Sequence, residues 1–351
     1  MTQAADRFPG EGDKHFTHDN TDPATMKIAN RVQLTILVMA LLGASAVACQ
    51  VPVFRYALER WSADKYEVWI VHSGPLDASS QALVDKLESL KLGENANLEI
   101  QIIALSNLRE KRLVELWKNR LALDKPLMVV LYPHSAREVP DRVLVAQSLT
   151  EQHFDQLVHS HVREQLAQRL SSGQTAVWIY VPCGDEAQDA AALKLLNARI
   201  AVNRARLTVP TADELEIAPA ILATNKIPLR IEFTILTLER TDPSESFLLK
   251  SLDKSESDLG ATQPLAFPVF GRGRVLYALV GAGIAEKNID TACQFVAGPC
   301  SCQVKNQNPG FDLLISSKWD EAVAGSIISA AIPEETAEPR LLTIPPGRTN
   351  K

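Results

Sequence analysis

The chain has no Walker loop, no Gly-x-Gly-x-x-Gly after a strand, no His-Glu-x-x-His and no Gly-x-Ser-x-Gly. These absences remove the usual phosphate-cradling, dinucleotide-binding, zinc-protease and serine-hydrolase signatures. Aromatic residues make up only 6%, and positive charge is in deficit, with 36 Lys and Arg against 42 Asp and Glu for a net charge of −6. A generic nucleic-acid binder needs the opposite balance. Five cysteines in 351 residues are too few for a small disulfide-built scaffold. Apolar residues, at 46%, are enough for real cores across two ordinary domains or one large one.

The most conspicuous feature is an uncharged run from Val32 to Phe54, with its greasiest part at Leu34–Leu42. At ~1.5 Å rise per residue a helix over 32–54 spans a hydrocarbon core of about 30 Å. Three readings are open. The run is a signal-anchor helix, or a cleaved or lipidated signal, or a buried helix of the body. The second reading rests on Ser45-Ala46-Val47-Ala48-Cys49, which resembles a bacterial lipobox with Ala46 where leucine is usual and Cys49 as the lipidation candidate. Lys27 and Arg31 precede the run while Arg55, Arg60 and Lys65 follow it, so the positive-inside rule does not decide orientation. An N-terminal apolar segment acts most often as an export signal, which puts the C-terminal bulk outside the cytoplasm. Residues 1–31 read as a disordered tail, and the Pro- and Glu-rich end at 333–351 as a flexible one.

The remainder looks duplicated. Val68-Trp69-Ile70-Val71 and Val177-Trp178-Ile179-Tyr180 are β-type runs 109 residues apart. Each leads through a turn (His72–Asp77, Pro182–Asp185) into a predicted helix, Ser79–Leu92 or Glu186–Ile200. A second strand then follows (Leu98–Leu105, Leu229–Leu236), with a helix at Leu108–Leu121 or from near Ser244. Third strands open at Pro126 and Pro264, each leading through a turn to a fourth at Val143–Ala146 or Val275–Val280, and a helix closes each half at Thr150–Val162 or Ala285–Val296. The order is β-α-β-α-β-β-α twice.

That order, with a proline opening the third strand, resembles the thioredoxin fold over 66–170 and over a second module at 174–320. The resemblance implies an α/β protein of two tandem thioredoxin-like modules behind the N-terminal segment. It also makes Pro126 and Pro264 the cis-proline candidates. The family's Cys-x-x-Cys is missing from both halves. The first turn has no cysteine, and in the second Cys183 faces Glu186 three residues on. Pro268 falls within an expected inner strand, where its missing N–H costs a ladder bond. Residues 201–226 read as an insertion, with Leu207–Val209 as an extra strand.

Little chemistry is left for these residues. Dithiol exchange needs a resolving thiol, which Cys183 lacks locally, although a helix N-terminus favours its thiolate. Cys293, Cys300 and Cys302 are disulfide candidates, and a bridge from Cys293 to either of the others staples the closing helix to the next turn. Metal binding there wants a fourth ligand, and no histidine follows His161. His153, His159 and His161 read as a solvated helix surface, and Gly271-Arg272-Gly273-Arg274 as a hairpin turn. The sequence therefore predicts a single-pass protein of the bacterial cell membrane, or a lipoprotein, contacting the membrane through 32–54. Its redox-inactive modules serve as a binding or scaffold unit for a protein of the cell envelope, with no cofactor, metal or nucleic acid. The alternative is an envelope thiol–disulfide protein using Cys183 or the Cys300/Cys302 pair.

Overall fold

The computed structural model describes residues 50–92, 96–120, 124–257, 259–300 and 305–329. The two tails, most of the apolar run, Cys49 and Cys302 lie outside them. The chain is mixed α/β, with two sheets and helices between and around them.

The first sheet has the order β2-β1-β3-β4. Its central strand β1 (Tyr66–His72) pairs in parallel with β2 (Leu98–Ala104) and antiparallel with β3 (Leu127–Leu131), and β4 (Val143–Ser148) pairs antiparallel with β3. Capping side chains set where its helices begin. Asp77 Oδ1 accepts from Ser80 N at 2.6 Å to open α2 (Ala78–Leu92), and Glu110 accepts from Arg112 N at 2.9 Å to open α3 (Lys111–Lys118). The predicted helix at 108–121 is therefore shorter, because Leu108 is extended and the cap comes at Glu110. The predicted closing helix at 150–162 is two helices, α4 (Glu151–Val158) and α5 (His161–Ser171). Ser160 breaks them apart. Its backbone is extended and its hydroxyl accepts from Arg163 N at 3.0 Å, capping a new helix.

The second sheet has six strands, β5 (Ala176–Val181), β6 (Phe233–Thr237), β7 (Leu265–Phe270), β8 (Arg274–Val275), β9 (Leu279–Val280) and β10 (Phe311–Asp312). Their order is β10-β8-β7-β5-β6, with β9 also on β7; β5 and β6 are parallel and the other pairs antiparallel. The helix α6 (Glu186–Arg206) runs a turn and a half beyond expectation. Its good helix formers continue to Arg206, so the insertion starts as helix, and Leu207–Val209 is not a strand. A short α7 (Pro219–Ala223) follows, and α8 (Ser246–Asp253) and α9 (Glu286–Ala297) complete this half. Pro268 does sit inside β7. Pro268 O accepts from Leu276 N on the outer side, so its missing N–H also points outward, into the gap between β8 and β9. The return bond to Leu276 is the one lost, and β8 stops one residue short of it, at Val275.

Strand register also shifts the alignment that the two Val-Trp-Ile runs suggest. Val71 ends its ladder opposite Leu127, and Val181 ends its ladder opposite Leu265. Val71 thus matches Val181, one residue off the spacing suggested by the two Val-Trp-Ile runs. One residue of slip exchanges the faces of a strand. Trp178 accordingly packs with α6 and α9, whereas Trp69 packs on the opposite kind of face, against α3.

Alternation sorts the strand residues into three apolar layers. Tyr66, Val68, Ile70, Met128 and Val130 of the first sheet share one core with Val177, Ile179, Leu265, Phe267 and Val269 of the second. Between them lie α2, α4, α5 and α8, contributing Leu87, Leu157, Leu166 and Leu248 among others. The far face of the first sheet is covered by α3 through Leu113 and Trp117. The far face of the second is covered by α6, α9 and α1 (Val53–Arg60). Full burial of one such side chain contributes about 1.5–3 kcal/mol. Parting the sheets would expose many at once, against a total stability on the order of 5–15 kcal/mol. All the described residues belong to one compact unit.

The apolar run does not end where the sequence suggests. Val51, Val53 and Phe54 are buried in the core beside the second sheet, Pro52 bridges Pro299, and Val53 N donates to Gly298 O at 2.9 Å. The last residues of 32–54 belong to the folded body, because α1 is needed to cover that sheet. No helix among the described residues is long and apolar enough to cross a membrane.

Candidate functional site

The turn after β5 carries the one candidate catalytic residue, Cys183. Register sets Pro264 next to the end of the β5–β7 ladder, at the mouth of this turn, as it sets Pro126 beside the turn after β1. Both prolines are buried, and their carbonyls accept from Gly281 N (2.9 Å) and Leu149 N (2.8 Å).

Cys183 is half-buried at the start of α6. Its surroundings are anionic. Asp189, one turn into the helix, folds back to accept from the N–H groups of Cys183 and Gly184, both at 2.9 Å. Tyr180 Oη donates to its carboxylate and carbonyl. Burial pulls the Asp189 carboxyl upward, but these donors outweigh it and hold the group below the usual carboxylate range. Asp185 caps the helix by accepting from Gln188 N at 3.0 Å, and Glu186 follows it. Gly184 permits the turn through its φ of +90°. Three carboxylates, Asp185, Glu186 and Asp189, thus lie at this end of the helix and offset its dipole.

The corresponding turn of the first half has no cysteine. Asp77 accepts from Ser80 N, the Ser79 hydroxyl and Lys125 Nζ (3.1 Å), which together hold it well below the usual carboxylate range. His72 Nδ1 donates to Gly74 O two residues on. The turn is a capped helix start.

Cys293 and Cys300 are both buried in the core beside the second sheet. Cys293 carries a free thiol pushed up by burial, with Asp290 adding to the effect. Asp290 joins α9 to α6, accepting from Arg199 Nη2 (2.5 Å) and Asn203 Nδ2 (2.7 Å). Cys300 N donates to Val51 O at 2.9 Å, tying the segment to the chain leading into α1. Cys302 and Cys49 fall outside the described residues.

The three helix histidines are divided by the break at Ser160. His153 caps inward onto Ser148 O, while His161 Nε2 meets Gln165 on α5. No group of three metal-ligating side chains occurs among the described residues. Gly271–Arg274 turns from β7 into β8, and both arginines are occupied: Arg272 with Leu58 O and Asp320, Arg274 with Asp312.

The sequence reading missed the buried ionic groups. Arg55 and Glu59 of α1 are fully buried and paired at 2.5 Å. Arg163 is buried under Phe247 and donates to Leu314 O at 2.8 Å, while Glu245 accepts from the Ser160 hydroxyl and Val162 N. Arg274, Asp312, Lys305 and Asp64 form a third group. Each ties distant parts of the chain together, and none has a one-dimensional signature beyond charge within an apolar stretch. In the surface groove near β1, charges pair among themselves, Lys65 with Glu99 and Arg142 with Glu67. No protein-family model matches the chain, and no curated protein matches it.

Proposed function

We propose that the chain is a bacterial membrane-anchored protein whose two thioredoxin-like halves lie outside the cytoplasm. They have no dithiol chemistry and serve as a binding or scaffold unit for another protein of the cell envelope. One observation carries the reading. At the turn where thioredoxin-fold proteins hold their dithiol, one half has no thiol and the other holds a single one with no second cysteine three residues on.

Three features support the fold assignment. Both sheets place a central strand between a parallel and an antiparallel neighbour. In each half the second helix covers one face and the first and last helices cover the other. A buried proline opens the third strand in both. With 51–54 committed to the body, the anchor is the run 32–49, about 27 Å as a helix, near the thickness of a hydrocarbon core. Lipidation at Cys49 is the alternative tether, and palmitate incorporation distinguishes it.

A second reading, thiol–disulfide exchange through Cys183, draws on that residue's partial exposure at a helix start. Alkylation of the native protein at neutral pH separates the two. A scaffold is expected to alkylate at Cys183 no faster than an unfolded thiol. A rate about tenfold or more above that would mean a stabilised thiolate and favour the redox reading.

A further inference from the structure

We propose that α7, with Ile327 beside it, is an apolar foot resting in the headgroup layer of the membrane that the run 32–49 enters. The proposal rests on the anchored reading above. The sequence of α7 is Pro-Ala-Ile-Leu-Ala, without a polar side chain, and Pro219, Ala220, Ile221 and Ala223 are all exposed. Only four large apolar side chains among the described residues are strongly exposed, and Ile221 (44%) and Ile327 (45%) are two of them.

A hydrogen bond ties the segment that follows α7 to the one that carries Ile327. Asn225, two residues beyond α7, donates from Nδ2 to Ser326 O at 2.9 Å, next to Ile327. Its Oδ1 accepts from Arg55 Nη2 at 3.1 Å, and the same guanidinium donates to Ile227 O and Ser326 O. Arg55 lies in the first turn of α1. The foot is thus fastened to the helix by which the chain comes in from residue 49. From Val51 onward the chain is held to the body, since Val51 O accepts from Cys300 N, Pro52 bridges Pro299 and Val53 N is bonded to Gly298 O.

The occupant follows from size and charge. Two isoleucines and a single helical turn fall far short of the roughly 1,000 Å² that a stable protein interface needs. A tether that holds the patch at the bilayer raises its effective concentration enough for a shallow contact to persist. The exposed charges flanking α7 in the chain are mixed, with Asp213, Glu214 and Glu216 before it and Lys226 and Arg230 after it. Apolar insertion rather than attraction to anionic lipid therefore holds the foot.

The test uses the full chain in phosphatidylcholine–phosphatidylglycerol vesicles, with a photoreactive benzoylphenylalanine in place of Ile221. The comparison position is Glu115, exposed on α3 beyond the far face of the first sheet. The expected result is phospholipid adduct at 221 at least about fivefold above that at 115. Adducts at 221 formed only with protein, residues 330–351 included, overturn the foot, as does equal lipid adduct at both positions. Alkaline carbonate extraction separates the two failures. Protein released by carbonate refutes the anchor and the foot together, whereas protein that is retained without lipid adduct at 221 refutes the foot alone.

Discussion

Glu59→Leu destabilises the folded body by about 3–5 kcal/mol in urea unfolding, the range for breaking a buried ion pair from one side. The Glu59 carboxylate accepts from Arg55 Nε (2.5 Å), Ile328 N (3.0 Å) and Ser329 N (2.8 Å), with no part of either charged side chain exposed. Leucine leaves a guanidinium buried without its counter-charge and two N–H groups without acceptors. The double variant Arg55→Met/Glu59→Leu removes the stranded charge, so its loss is smaller than the sum of the single losses by about 1–3 kcal/mol. A Glu59→Leu protein within about 1 kcal/mol of wild type would show that the pair does not fasten α1 to residues 326–329.

Gly310→Ala has the next largest effect, a loss of roughly 3 kcal/mol. Gly310 has a φ of +96°, and an added Cβ would lie 1.9 Å from Val275 O, so the backbone itself must move. The segment that moves laces the two sheets together. Phe311 and Asp312 pair with β8, Leu313 N donates to Gly273 O, and Ile315 N donates to Asn97 Oδ1 beside the first sheet. Arg274, buried beneath it, donates to Asn308 O, Gly310 O and Asp312. Hydrogen exchange at Leu313 and Ile315 should quicken along with the drop in melting temperature. Gly74→Ala serves as the control, since its Cβ would meet nothing within 4 Å.

What was legible in the chain was local. Alternation in Tyr66–His72 and Leu98–Ala104, and capping residues such as Asp77 and Thr150, are one-dimensional signals, and the corresponding elements form. What was not legible depended on a third dimension. Ser160 divides a continuous helical pattern because Glu245, far along the chain, accepts from its hydroxyl and from Val162 N at the start of α5. Pro268 is accommodated because its missing donor faces Leu276, just past the end of β8, at the cost of one bond on the outer side. The two Val-Trp-Ile runs look alike, yet only hydrogen-bonded register reveals that their tryptophans face opposite layers. Residues 51–54 read as membrane-like because a strand face buried under α1 demands the same apolar side chains as a bilayer. For Cys183 the position was readable, but the carboxylate that folds back onto it was not.

Thiol–disulfide turnover decides between scaffold and redox protein. The native full-length protein is given glutathione and a disulfide-bonded substrate such as insulin, alongside Cys183→Ser and a Cys300→Ser/Cys302→Ser variant. A scaffold predicts turnover no greater than with glutathione alone, identical in all three proteins. Turnover above that background which disappears in either variant would contradict it.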